Sequence, residues 1–296
     1  MNTYLTIDFE DFSHDLGRHL HLDPPLSMRL DALYKAYFDI NNLINKIGNG
    51  TKITFFVTGI LSEKFPDLIK QISEDGHEIA CHYHYHEEMW RQDIKYVEKN
   101  LKLAIEKLEN ASNAKVLGFR APYFKINKSS QEQYQLIEKL FLYDSSLSVS
   151  SKHALKAFYL RMGLKKLRIF PVFEDKIGKL KMKTGGTYTK IFPTTFTKTL
   201  LKKNKSACLD TILYFHPYEF SNGNDWRISL DQMSNMRKMN KYYWMLRQTQ
   251  WLNVGNKSLE PKIIDLLKGQ SLSGCLSEKF EHPNNDMDTE SFRPLY

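Results

Sequence analysis

Ile53-Thr54-Phe55-Phe56-Val57, the helix-patterned residues 63–73, the turn Asp75-Gly76 and then His77-Glu78-Ile79-Ala80-Cys81 decide the fold. Two short apolar runs joined by an amphipathic segment read as a strand–helix–strand unit, and strands joined through a helix lie parallel in one sheet. The unit runs directly into His82-Tyr83-His84-Tyr85-His86, where three of the chain's ten histidines stand at alternate positions. Imidazoles at the mouth of an apolar strand are largely neutral at physiological pH and available to a metal ion. Taken by itself, the segment is equally a solvated loop rich in His and Tyr.

The same pattern extends outward in both directions. Residues 3–7 read as a buried strand, and 28–47 carry helical spacing closed by Gly48 and Gly50. Downstream, the spacing predicts a helix at 93–108, a strand at 116–119, a helix at 131–141 and a short strand at 142–143. The pattern then loosens, leaving strands at 167–170 and 210–215 and a helix at 196–201. Residues 228–250 read as a helical stretch whose Met and aromatic side chains serve packing. From residue 255 onward there is one weak helix at 263–267 and then a mixed polar tail, a candidate for disorder. The expected organisation is one α/β domain over 1–254 and a partly disordered C-terminal extension over 255–296. Alternating strands and crossover helices favour a parallel sheet or barrel.

Composition narrows the function classes. At 296 residues and 42% hydrophobic content the chain can build one large α/β unit with a substantial core. No apolar run approaches the ~20 residues that cross a bilayer, so a soluble protein is expected. The start, Met1-Asn2-Thr3-Tyr4-Leu5-Thr6-Ile7, lacks a basic flank and a long apolar region, and export by a secretory signal is not expected. Cys81, Cys208 and Cys275 form neither a disulfide framework nor a paired zinc motif. They fit a reducing cytoplasm, with Cys81 and Cys208 packed in strands. Within the net charge of +8, residues 152–205 hold fifteen Lys or Arg against Glu174 and Asp175. Such a run is most simply a solvated face, and otherwise a site for an anionic carrier, an inner-membrane surface or nucleic acid. No nucleic-acid motif frames it, which disfavours the last.

In parallel α/β folds, reactive groups gather at the carboxyl ends of strands. Asp8, His82, Arg120 and His216 each close a strand here. Singly, Asp8 could cap a helix, Arg120 could make a structural ion pair and His216 could be a core histidine; together at one end of a sheet they form a constellation. Two His and one carboxylate leave open positions on a divalent ion, which polarises a carbonyl and activates water. A second carboxylate serves as base, an Arg holds it ionised, and a further His protonates the leaving group. That set suffices for metal-assisted hydrolysis of an amide or ester.

Several motifs, in order, carry a family resemblance: Thr6-Ile7-Asp8-Phe9-Glu10-Asp11, the run from Gly76 through His86 to Glu87, Gly118-Phe119-Arg120-Ala121-Pro122-Tyr123, Tyr143-Asp144-Ser145-Ser146 and Phe215-His216-Pro217-Tyr218-Glu219. Over residues 3–220 the chain resembles the polysaccharide deacetylases, the NodB-homology family of carbohydrate esterases. Gly185-Gly186-Thr187-Tyr188 with Phe192-Pro193 is similar to a loop of the branch found with bacterial exopolysaccharide systems. The resemblance implies a distorted (β/α) barrel and a zinc-type divalent ion, with cobalt or nickel as alternatives. It also implies removal of an N-acetyl group from an amino sugar of a bacterial surface polysaccharide or its precursor. By the same resemblance Asp8 is the base, His82 and His86 are metal ligands, Arg120 is the partner of the base and His216 is the acid. Tyr123 supplies a backbone amide to the oxyanion, and Asp144 supports the site from behind.

The first motif departs from the family pattern. Asp8 is followed by Phe9, Glu10 and Asp11, and either Glu10 or Asp11 can complete the ligand set. Asp8 as base favours Glu10, whereas an adjacent-carboxylate alignment favours Asp11 and recasts Glu10 as the base. His84 points away from His82 and His86 if the segment is extended, and ranks below them. Two other readings stand beside the enzyme: a glycan-binding module with a degenerate metal site, and a binder of anionic surfaces or nucleic acid through 152–205. The expected location is the cytoplasm, peripheral at the inner membrane, and the expected partner is an N-acetylated glycan or sugar precursor.

Overall fold

The computed structural model describes residues 1–48, 50–127, 131–177, 180–221, 223–268 and 272–281. Ten strands and thirteen helices follow in chain order. The first half holds β1 (Thr3–Phe9), α1 (Phe12–His19), α2 (Leu30–Ile47), β2 (Thr54–Val57), α3 (Gly59–Lys64), α4 (Pro66–Glu74), β3 (Glu78–Cys81), α5 (Ile94–Ser112), β4 (Gly118–Phe119), α6 (Glu132–Leu140) and β5 (Tyr143–Asp144). The second half holds β6 (Ser148–Val149), α7 (Lys152–Met162), β7 (Arg168–Ile169), β8 (Val172–Ile177), β9 (Leu180–Lys183), α8 (Gly186–Ile191), α9 (Thr194–Ser206), β10 (Thr211–Phe215), α10 (Pro217–Phe220), α11 (Lys238–Leu252), α12 (Asn256–Leu267) and α13 (Glu278–Glu281).

Seven strands pair in parallel in the order β10-β1-β2-β3-β4-β5-β7 and curl into a distorted (β/α) barrel. Alternation within each strand separates two apolar layers. Leu5, Ile7, Phe55, Val57, Ile79 and Cys81 face the helices, whereas Tyr4, Phe56, Ala80, Tyr143, Phe170 and Tyr214 fill the barrel. The open side between β7 and β10 is closed by the β8–β9 hairpin, which belongs to a separate sheet with β6. Thr184 Oγ1 donates to Ile212 O at 2.9 Å, and Gly185 bridges to Tyr214. Gly185 has φ +135°, and a Cβ there would fall 2.4 Å from Tyr214 O, so the Gly-Gly pair is what lets the hairpin meet β10.

Several expectations change in detail. The helix expected at 63–73 is two helices, because Pro66 starts a new one at its first turn. Helices α1 and α7, the β8–β9 hairpin and α8 were not expected. Cys208 is not in a strand: it is exposed, at φ +55°, in the turn after α9. The helix expected at 228–250 begins only at Lys238; on α11 Leu252 is buried and Trp244, Met245 and Trp251 pack on the core, but Met239, Tyr242, Tyr243 and Leu246 are exposed, so packing accounts for only one face of that helix. The basic run is not one uniform face either: Lys181, Lys198 and Lys203 pair with Glu174, Asp265 and Asp175, and Lys190 is buried.

Past residue 255 the chain stays in the core. Leu259, Ile263, Leu266 and Leu267 of α12 are buried. Ser273 N donates to Thr3 O at 2.9 Å, Leu276 N to Thr54 Oγ1 at 3.0 Å and Ser277 N to Glu78 Oε2 at 3.1 Å, covering the amino-terminal end of the barrel. Residues 282–296, the remainder of the expected extension, lie outside the described residues.

Candidate active site and metal centre

The sheet carries the strand-end residues into position, because its hydrogen bonds continue past the strands. His82 N bonds Val57 O at 2.8 Å, Arg120 N bonds Cys81 O at 2.9 Å and Ser145 N bonds Phe119 O at 2.8 Å. On the other side Ile7 pairs with Phe215, which puts Asp8 beside His216. Asp8, Glu10, His82, His86 and His216 line one cavity of about 350 Å³ at the carboxyl end of the strands.

Asp8 is anchored by a buried guanidinium. Arg120, fully buried, donates Nη1 to Asp8 Oδ1 at 2.6 Å and to Thr6 Oγ1 at 2.9 Å. Its Nη2 donates to Ser145 Oγ at 2.8 Å and its Nε to Ser145 O at 3.3 Å. The guanidinium lies 4.0 Å from the Phe56 ring centroid, so apolar and polar contacts fix it on every side. Behind it, Asp144 accepts from Ser146 Oγ and from Ser146 N, and Ser146 Oγ in turn accepts from Ala121 N at 2.7 Å. Asp144 therefore holds the backbone that carries Arg120 and does not enter the cavity.

Glu10, His82 and His86 converge so that one ligand atom from each lies within 4.8 Å of the others, and no other such group occurs among the described residues. Glu10 Oε2 is 2.6 Å from His86 Nε2 and 3.7 Å from His82 Nε2, yet buried without a well-formed hydrogen bond. His82 Nδ1 lies 2.7 Å from Arg120 O, and donating there leaves the Nε2 lone pair aimed at Glu10. Burial would raise the Glu10 carboxyl, but the His86 charge and both imidazoles hold it below the usual carboxylate range. Burial would likewise lower His86, and Glu10 overrides it and raises the imidazole. A carboxylate oxygen and two imidazole nitrogens turned on one point are what a divalent cation requires, and the donor set fits one.

Asp11 does not join this cluster. Its carboxylate caps α1, accepting from His14 N at 2.9 Å, and also accepts from Arg29 N. Burial raises it to about 6 against those two backbone bonds. Of the two carboxylates open at the first motif, Glu10 faces the imidazoles and Asp11 faces the backbone. His84 does turn the other way, buried against Gly59, but not because the segment is extended: extended backbone would put 82, 84 and 86 on one face, and the chain leaves that form at Tyr83, at φ +66°. Tyr123 lines the cavity at φ +57°, its ring centroid 4.4 Å from that of His86.

His216 lines the same cavity, with Nε2 4.0 Å from Asp8 Oδ2. Its Nδ1 and backbone N lie 3.1 and 3.0 Å from Glu219 Oε2, and Tyr218 stacks on the ring at 5.0 Å. Burial works to lower this imidazole, but the Glu219 hydrogen bond and charge raise it to about 9. Glu219 is itself fully buried, with Lys190 Nζ 3.9 Å from its other oxygen; burial lowers Lys190, which also donates to Trp251 O. Glu219, Lys190 and Ser145 were not singled out from sequence as site residues. Glu219 had a signal, standing three residues after His216 at a helix start, whereas Lys190 was hidden in a basic run.

Comparison with known proteins finds relatives in sequence and in fold. A family model described as polysaccharide deacetylase matches residues 36–138, and one described as a domain of unknown function (DUF3473) matches residues 147–254. A peptidoglycan deacetylase-like protein of Gibberella zeae is 30% identical over 163 residues, 54% of this chain and 46% of its own length. The peptidoglycan deacetylase of Helicobacter pylori is 26% identical over 154 residues, 52% of this chain and 47% of its own. The chain thus spans less than half the length of these curated relatives. In fold it matches a Mycobacterium smegmatis structure provisionally named a polysaccharide deacetylase, at TM-score 0.50 and 19% identity over 92% of this chain and 93% of that one. The chain is thus similar to the polysaccharide deacetylases over residues 36–138 and to the DUF3473 segment over residues 147–254.

Proposed function

We propose that the protein is a divalent-metal-dependent hydrolase that removes an N-acetyl group from an amino sugar of a bacterial surface polysaccharide or its precursor. One observation carries the reading: the Glu10, His82 and His86 ligand atoms, the Arg120-anchored Asp8 and the Glu219-bonded His216 all face one cavity. Zinc is the favoured ion, with cobalt or nickel as alternatives, held by Glu10, His82 and His86. When bound, the ion supplies Lewis acidity to the amide carbonyl and to water.

The remaining steps belong to the chain's own groups. Asp8, kept ionised and oriented by Arg120, takes the proton from the attacking water. In the 310 turn Pro122–Phe124, where Phe124 N and Lys125 N donate to Ala121 O and Pro122 O, the backbone N–H of the cavity-lining Tyr123 is the donor for developing charge on the carbonyl oxygen. His216 Nε2, in the same cavity 4.0 Å from Asp8 Oδ2, delivers a proton to the departing amine as the C–N bond breaks. Acetate release from N-acetylhexosamine oligomers tests the reading. Chelation and Asp8→Asn should each abolish it, and equal turnover by the metal-loaded wild type and Asp8→Asn would overturn it.

A further inference from the structure

Met239, Tyr242, Tyr243 and Leu246 of α11 have the i, i+3, i+4, i+7 spacing with which a helix meets an apolar environment, yet the stripe faces out. These side chains are 85%, 57%, 54% and 59% exposed. The opposite face of the helix already has its partners: Gln248 and Leu252 are buried, and Trp244 and Trp251 line the cavity. Single exposed apolar side chains are ordinary on a protein surface, but four of them contiguous on one helix mark a surface that something covers. The charge around the stripe has one sign. From Gln232 to Leu259 the chain holds Arg237, Lys238, Lys241, Arg247 and Lys257 and no Asp or Glu. Arg237 and Lys238 are exposed at the amino end of α11, and at helical spacing Lys238 and Arg247 fall on either side of the stripe.

We infer that α11 is an interfacial helix whose exposed stripe docks on a bilayer surface bearing anionic lipids. An apolar stripe carrying tyrosines and edged by bases sinks its rings and alkyl groups to the headgroup boundary while the cations meet lipid phosphates. A second copy of the chain is a poor occupant, because twofold pairing of the stripe with itself would set these bases against the same bases. No helix among the described residues is long and apolar enough to cross a membrane, so α11 lies along the surface. With Trp244 and Trp251 on its inner face, docking sets the cavity one helix diameter, ~10 Å, from the headgroups. The contact does not rest on the hydrolase reading, and binding is measured without turnover.

The test is flotation of the full chain, chelated and without substrate, with vesicles of phosphatidylcholine alone or mixed with phosphatidylglycerol. The wild type should float with the mixed vesicles, far less with phosphatidylcholine alone, and less as salt rises. Met239→Ser/Leu246→Ser should weaken binding by about tenfold or more, since each large apolar side chain withheld from the lipid forgoes that much. Arg237→Gln/Lys238→Gln should weaken it roughly 25-fold, each base near an anionic surface contributing about fivefold. Lys165→Gln/Lys166→Gln, in the basic run outside α11, should bind as the wild type does. All six side chains are exposed, so urea unfolding should match the wild type and a loss of binding is not a loss of fold. A wild type that stays off the mixed vesicles, or equal binding by Met239→Ser/Leu246→Ser, would overturn the docking. Binding lost in Lys165→Gln/Lys166→Gln would move the contact to the basic run and overturn it too. So would a wild-type dimer in sedimentation velocity that Met239→Ser/Leu246→Ser dissolves, because the stripe would then be a contact between copies.

Discussion

Gly118→Ala is the sharpest test of how the barrel interior carries the site. A Cβ at Gly118 would fall 1.8 Å from Tyr143 Cζ and 2.2 Å from its hydroxyl oxygen. Tyr143 cannot easily retreat. It meets Phe170 edge-on at 5.4 Å and Phe56 at 6.3 Å, stacks on Phe280 at 6.0 Å, and donates its hydroxyl to Glu78 at 2.8 Å. Overpacking and the lost bond to a buried carboxylate together should cost roughly 2–5 kcal/mol. The backbone itself is no obstacle, since Gly118 sits in β4 without positive φ, and Gly→Ala at such a site otherwise stabilises by ~0.4–1 kcal/mol. The substitution should therefore change sign with its neighbour: strongly destabilising in the wild type, neutral or stabilising in Tyr143→Ala, where the added methyl meets open space. Urea unfolding of the four proteins reads the cycle. Equal costs in both backgrounds would refute the steric argument, as would a wild-type cost below ~0.5 kcal/mol.

Further predictions concern the site. Glu219→Gln removes the hydrogen bond and charge that raise His216. Protonated His216 is present below about 9 and lost as pH rises through it, so the alkaline limb of the wild-type rate profile should lie near there and move to lower pH in the variant; an unmoved limb would exclude His216 as the acid. Glu10→Gln should weaken zinc binding by about tenfold or more in calorimetric titration. Asp11→Ala should instead leave zinc affinity near wild type and cost ~0.5–2 kcal/mol of stability through the α1 cap, and the reverse pattern would make Asp11 the ligand. Arg120→Met leaves Asp8 buried without its partner and should cost ~3–5 kcal/mol in denaturant, whereas a near-neutral result would mean that water reaches Asp8 freely.

How much of this was legible in sequence follows from which signals are local. The strand–helix–strand run at 53–81 and the strand-end placement of Asp8, His82, Arg120 and His216 were readable, because burial on both faces makes parallel strands apolar and polar residues then mark their ends. The choice between Glu10 and Asp11 was not, since both follow the strand and only the start of α1 decides which carboxylate is spent on a cap. Helix α1 escaped because Phe12–His19 is short, mostly polar and contains Gly17, so propensity and periodicity both fall silent. The β8–β9 hairpin escaped because its Lys-rich strands bury little, with Leu180 and Lys181 exposed. Lys190 was read with its basic neighbours as part of a charged run, and only tertiary packing shows it beneath Glu219.

These omissions share a location, and that bears on how the two matched segments relate. The 36–138 match contains His82, His86 and Arg120, while Asp8 on β1 and Glu10 just after it precede the match and His216, just after β10, follows it. Strand β10 pairs with β1 from Thr3 opposite Thr211 to Ile7 opposite Phe215, so the last strand of the 147–254 segment lies against the first strand of the chain, inside the same sheet. That segment also supplies Glu219 and Lys190, which back His216, and Trp244 and Trp251, which wall the cavity. A chain ending before β8 would leave the edge of β1 unpaired and Asp8 without His216 beside it. The 147–254 segment is therefore part of the barrel and of the cavity at its carboxyl end, and its removal should abolish cooperative unfolding of the remainder together with the proposed acetate release.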